Sequence, residues 1–375
     1  MGHAYTPGLK VTEKMLITKR RILPLKGEVL AKVGDKVQPD TVVARTFLPG
    51  PVEPMNVANI LSIAPEDVPY FMLKKEGEKV QKDEIMAKAK TFFGLFTSVC
   101  KAKMEGTIES ISSITGQVLL RGNPVPVEVH AYLVGEVVEV FPQEGVAVSS
   151  WGSFIQGIFG VGGETKGEIK IVVSSPSDTL TDKEIDESSK GKIIVGGCLV
   201  TASAINQAIS VGAKGIIVGG LDDKDLRDFL GYDLGVAITG SEEKGITLVI
   251  TEGFGQINMA QRTFNLLKSN QGKLACINGA TQIRAGVIRP EVIIPIAGDV
   301  KIKEEKEKYE SVGLQAGSPI RVIRQPYFGK LGQVKDLPPA LQKLETESTA
   351  RVLEVEFDSN GRAIVPRANV EMLEE

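Results

Sequence analysis

The sequence predicts a multi-domain α/β plus β protein: a strand-built N-terminal third, a central α/β domain with a mostly parallel sheet, and a small C-terminal β module. Three observations carry this. One glycine-turn segment occurs twice near the start. A strand–Gly-Gly–helix–strand–Gly-Gly pattern follows in the middle. Beyond a run of mixed charge, short alternating strands return. At 375 residues the chain exceeds one ordinary core, so several domains are expected. The expected divisions are an arm over 1–20, a duplicated β domain over 21–165, an α/β domain over 166–298, a charged linker over 299–316 and a β module over 317–375.

The repeat comes first because a fixed-period repeat means one supersecondary unit used twice. Val33-Gly34-Asp35-Lys36-Val37-Gln38-Pro39-Asp40-Thr41-Val42-Val43-Ala44-Arg45 returns as Glu76-Gly77-Glu78-Lys79-Val80-Gln81-Lys82-Asp83-Glu84-Ile85-Met86-Ala87-Lys88. Each copy reads as a strand, a Gly-acid turn and a second strand, with Gly supplying the positive φ of the turn. A second duplicated unit follows, Gly106–Ile111 with Gly116 and Gly135–Val140 with Gly145. Alternation between glycine turns argues for half-buried antiparallel strands.

These paired segments resemble the biotinyl/lipoyl-like barrel-sandwich hybrid, and Leu23–Arg45 resembles the N-terminal hybrid domain of RnfC-type electron-transport subunits. The resemblance covers residues 20–150. Carrier members of that family hold biotin or lipoate on a lysine at a hairpin tip. The stretch Lys88–Lys101 has neither a Met-Lys-Met nor an Asp-Lys-Ala triplet. No cofactor is therefore expected, and the cysteine clusters of an iron–sulfur protein are missing.

In the middle, Ile169–Val173, Lys192–Val195, Gly215–Val218 and Ile246–Ile250 are apolar runs suited to buried strands. Ala202–Val211, Asp222–Leu230 and a segment ending near Ser269 have helical spacing. Glycine-rich turns after such strands are where ligands usually bind. The candidate ligand residues are Gly196, Gly197, Gly219, Gly220, Glu252, Gly253 and Gly255, with Gln282 and Arg284 from the polar stretch Asn278–Glu291. Gly253-Phe254-Gly255-Gln256-Ile257-Asn258 has two glycines of a dinucleotide fingerprint and Asn in place of the third. The same glycines also suit close packing, and Arg284 also suits an ion pair. Cys198 reads as either a buried structural thiol or an activated one.

At the C-terminus, Arg321-Val322-Ile323, Tyr327-Phe328-Gly329 and Gly332-Gln333-Val334 follow one another within 317–375. This pattern resembles the KOW motif, the SH3-like barrel of NusG-type factors and some ribosomal proteins. The resemblance implies RNA or protein contacts through Arg321, Arg324, Lys330, Arg362 and Arg367, with Tyr327 or Phe328 available for stacking. Glu345, Glu347, Glu354, Glu356 and Asp358 keep the module from being strongly basic.

Composition narrows the function classes. A formal charge of -3 exerts no global pull on nucleic acid or anionic membrane. Only His3 and His130 are histidines, and no metal-spaced set or nucleophile elbow occurs. Three scattered cysteines, an N-terminus without an apolar signal core, and no run of about 20 apolar residues predict a cytoplasmic protein without membrane contact. The expected function is noncatalytic binding or scaffolding, with a second copy or another protein as partner. The alternatives are an RNA-associated KOW factor and an α/β protein binding a phosphate or nucleotide.

Overall fold

The computed structural model describes residues 9–91, 96–231, 244–281, 288–296, 314–322, 326–327, 330–338, 341–343, 349–357 and 361–372. The chain is mostly β, with several sheets and a few short helices. The expected N-terminal arm is instead largely a strand. Val11–Ile22 pairs antiparallel along Gly145–Gln156, from Val11 opposite Ile155 to Ile22 opposite Gly145. The strand carries four cations, Lys14, Lys19, Arg20 and Arg21. It stays in the sheet because its charges are partnered: Lys19 on Glu291, Arg20 over the Phe141 ring at 4.5 Å, and Arg21 on Glu164.

The two repeat copies form the same turn, bond for bond. Gly34 (φ 91°) donates to Val137 O at 2.8 Å, and Gly77 (φ 84°) donates to Ile108 O at 2.8 Å. In return, Val137 N donates to Asp35 O and Ile108 N to Glu78 O. Lys36–Val37 then pairs with Gly135–Phe141, as Lys79–Val80 pairs with Gly106–Ile111. The copies are nested rather than tandem. Val42–Leu48 of the first copy pairs with Val125–His130, and the whole second copy lies between those strands. Its own equivalent hairpin, Ile85–Thr91 with Phe96–Lys101, closes directly. We call the first copy the host and the second the inserted copy. The inserted copy has a separate core that includes Leu61, Met86, Ile108 and Leu120.

The host is joined to the middle of the chain by hydrogen-bonded strands. Among the described residues a 13-stranded sheet runs from Phe159–Val161 through the central strands to Gly145–Gln156, Gly135–Phe141 and Lys36–Val37. The expected domain break at 165/166 falls inside strand Glu164–Ile171. That strand pairs antiparallel with Leu274–Asn278 at one end and parallel with Ile193–Val195 at the other. Ile193–Val195, Gly215–Leu221 and Thr247–Phe254 continue in parallel. Apolar runs suit these strands because both faces are covered. The connecting helix Ala202–Val211 starts on Thr201, whose hydroxyl accepts from Ala204 N at 3.2 Å, and ends on left-handed Gly212. Helices Asp223–Leu230 and Gln261–Ser269 follow.

A six-stranded module of short strands closes the chain, from Pro319–Val322 to Val370–Met372. Ile320, Val334, Leu353, Val355 and Val365 are among its buried core residues.

Candidate functional site

The candidate glycines stand together at the C-terminal ends of the parallel strands, and backbone covers them closely. A Cβ at Gly220 would lie 1.9 Å from Gly255 O, and one at Gly197 would lie 2.3 Å from Asp178 O. Gly219 faces Ile257 O and Gly197 O, and Gly196 faces the Leu180 side chain. Gly253 is paired opposite Gly220 at the end of Thr247–Phe254. Backbone segments here cross at distances only glycine allows. Cys198 is fully buried among them, its Sγ 3.0 Å from Ser177 O.

Glu252 and Arg321, nominated for separate roles on separate modules, bond to each other. Glu252 sits near the end of its strand and accepts from Ala260 N at 2.9 Å, at the start of helix Gln261–Ser269. Its other oxygen accepts from Arg321 Nη2. Arg321 is 3% exposed, so its guanidinium faces the central domain rather than solvent. A buried carboxylate is costly unless paired and hydrogen-bonded. Here both oxygens are used, one by a helix N-terminus and one by a cation. Beside the pair is a cavity of about 220 Å³, lined by Leu9, Val11, Gln156, Thr251, Arg262, Thr263 and Pro319 as well.

The remaining C-terminal candidates are spread out. Arg362 pairs with Glu356 at 3.1 Å and Glu354 at 3.6 Å. Arg367 donates to Val352 O at 3.0 Å and Pro338 O at 2.9 Å, so it fastens two segments of the module. Tyr327 packs on Phe357 with ring centroids 5.1 Å apart, and Lys330 lies over both rings. Gln282, Arg284, Arg324 and Phe328 lie outside the described residues.

A second, more polar cleft lies where the host copy meets the central sheet, and no motif announces it. Pro39, Asp40, His130, Tyr132, Glu164, Thr165, Lys166 and Lys214 line about 380 Å³. Its floor is Tyr132, which is 4% exposed and has φ 67°. Positive φ is uncommon for a bulky residue and persists only where the surroundings over-determine it. Several groups do so here. Tyr132 N donates to Pro39 O at 3.0 Å, its hydroxyl donates to Glu291 at 3.3 Å, and Arg21 lies 5.4 Å from its ring centroid. Arg21 also grips Glu164 through both Nη atoms at 2.6 Å and donates through Nε to His130 O at 2.7 Å.

Burial, with the Glu291 and Glu164 charges behind it, pushes the Tyr132 hydroxyl well above its usual range. Tyr132 is therefore a neutral donor to Glu291 rather than an acid in use. Burial likewise pushes the nearby Cys276 thiol up to about 12. Lys166 bonds Asp40 at the rim. His130 was visible in the sequence as one of two histidines, but nothing local linked it to Lys166 or Lys214.

No family model matches the chain, and no curated protein or solved structure is significantly similar to it. Among the described residues no group of His, Cys, Asp and Glu is placed to hold a metal. No helix there is long and apolar enough to cross a membrane.

Proposed function

We propose that the chain is a noncatalytic binding and scaffold protein that docks proteins, a second copy of itself included, through its β modules. The observation that carries this reading is the seat of Arg321 on Glu252. In open α/β sheets the crevice beyond the strand ends usually receives the ligand. Here a side chain of the C-terminal module occupies the carboxylate next to that position, and the neighbouring glycines are spent on backbone crossings. The central domain thereby serves as a frame that fixes the module.

The inserted copy supplies the docking face. Tyr70 is 85% exposed and Ile114 is 88% exposed, with Ile60 and Leu73 also open to solvent. The turn carrying Ile114 packs through Gly116 against Ala58 and Pro65, in the run of short helices from Val57 to Phe71 that also carries Ile60 and Tyr70. Exposed apolar groups gathered in this way mark interaction surfaces. The finer fold reading belongs with this proposal: two barrel-sandwich hybrids, an α/β frame and a KOW-like barrel. RNA binding by the C-terminal module has weaker support, since Arg321, Arg362 and Arg367 already have protein partners.

Sedimentation velocity on the full chain and on Tyr70→Asp/Ile114→Asp tests the reading. The expected result is a species larger than 40.3 kDa that the double substitution returns to monomer. A chain that is monomeric at every concentration and captures no protein counts against it.

A further inference from the structure

The cleft between the host copy and the central sheet contains an imbalance that its structural role does not explain. Its two carboxylates are committed, Glu164 to both Nη atoms of Arg21 and Asp40 to Lys166. Two of its donors are not. Among the described residues, neither the Lys214 ammonium nor the His130 imidazole has an acceptor, although both line the same cavity. Lys214 reaches it from the start of strand Gly215–Leu221, on the central domain. His130 reaches it from the end of Val125–His130, on the host copy. The left-handed Tyr132 lines the same cleft, fixed on one side by Pro39 O and on the other by Glu291.

We propose that this cleft binds a small oxyanion ligand, a molecule carrying a phosphate or carboxylate group, between Lys214 and His130. An anion fits because both side chains left without a partner offer donors, one of them a full positive charge: ammonium has three donor hydrogens, and imidazole presents one in either neutral tautomer. Lys166 adds a third contact when it turns from Asp40 to the ligand, since a rim lysine is a mobile point charge. About 380 Å³ exceeds what one inorganic anion needs, so the natural ligand carries an uncharged body beside its oxyanion. Because the ligand touches residues of both modules, its binding favours the state in which they are joined. This assignment is independent of docking through the inserted copy.

Isothermal titration calorimetry of the full chain at low ionic strength tests it, with inorganic phosphate and succinate as separate probes. At least one probe should bind saturably, and the stronger one identifies the oxyanion class. Lys214→Met should weaken binding roughly tenfold, the scale of one lost charge-assisted contact. His130→Gln should weaken it less, and Asp40→Asn should tighten it by releasing Lys166. Arg362→Ala, on the C-terminal module, should leave it unchanged. Lys214 and His130 are exposed, so both variants keep the fold. Absence of saturable binding by either probe overturns the assignment, as does equal affinity in wild type, Lys214→Met and His130→Gln.

Discussion

The host and inserted copies share a hydrogen-bond scheme and differ in what surrounds it. Ala131 N donates to Thr41 O in the host, as Ala102 N donates to Glu84 O in the inserted copy, both at 2.9 Å. The next position in each is where they part. In the host it is Tyr132, buried on Glu291 beneath Arg21. In the inserted copy it is Lys103, an exposed side chain paired with Glu53. Backbone geometry is therefore held by the turn, while side chains decide whether the unit fuses with a larger sheet or stands apart. The host is woven into the 13-stranded sheet. The inserted copy keeps its own four-stranded sheet and core and leaves Tyr70 and Ile114 uncovered.

The largest effect should come from the position where the copies diverge. Tyr132→Ala removes a buried aromatic and leaves Glu291 with one partner fewer. It should cost about 3–5 kcal/mol, as large-to-small core changes do. Lys103→Ala breaks only an exposed ion pair and should change stability by less than about 0.5 kcal/mol. Urea denaturation of both variants makes the comparison. Equal losses would mean that the two positions are energetically alike and that the host is not specially anchored.

A smaller effect separates the two turns by pH. Glu84 is held below the ordinary carboxylate range, first by its hydrogen bond from Lys74 and then by the Gln81 backbone N–H. Its contribution is thus present above the unfolded value of about 4.5 and is lost as pH falls through the lower folded value. The host has Thr41 at this position, whose hydroxyl accepts from Gln38 N at 2.9 Å and does not titrate in that range. The Gln81 amide should therefore shift with acid in an NMR titration while the Gln38 amide does not. Glu84→Thr should abolish the shift.

Local signals made the elements legible and left their assembly hidden. Helix Ala202–Val211 has the bounds its spacing implies, with Thr201 capping its start and Gly212 its end. The strands Ile193–Val195, which leads into Gly196-Gly197, and Gly215–Leu221, which contains Gly219-Gly220, were readable as apolar runs. The nesting was not, because Val42–Leu48 finds its partner beyond the whole inserted copy and nothing within either strand records the detour. The pairing of Val11–Ile22, most of it inside the expected arm 1–20, was not legible either, because Glu291, Phe141 and Glu164, the partners of Lys19, Arg20 and Arg21, lie far along the chain. The KOW resemblance implies an RNA or protein contact for Arg321, while the Glu252 that it pairs with lies in another module and has no link to it in the sequence. Tyr132 had no signal at all: a left-handed tyrosine is set by tertiary contacts, not by neighbours in sequence.

In the proposed scaffold the host completes the frame and the inserted copy docks. Leu48 and Val125 are opposite one another at the end of their ladder, so a two-residue Asn-Gly turn can replace residues 49–124 and close the host hairpin. Native mass spectrometry of that shortened chain is the most direct test, since charge states report compactness and mass reports association. A compact monomer, under conditions where the full chain associates, is the predicted result. A chain that unfolds without the inserted copy, or still associates as the full chain does, contradicts the account.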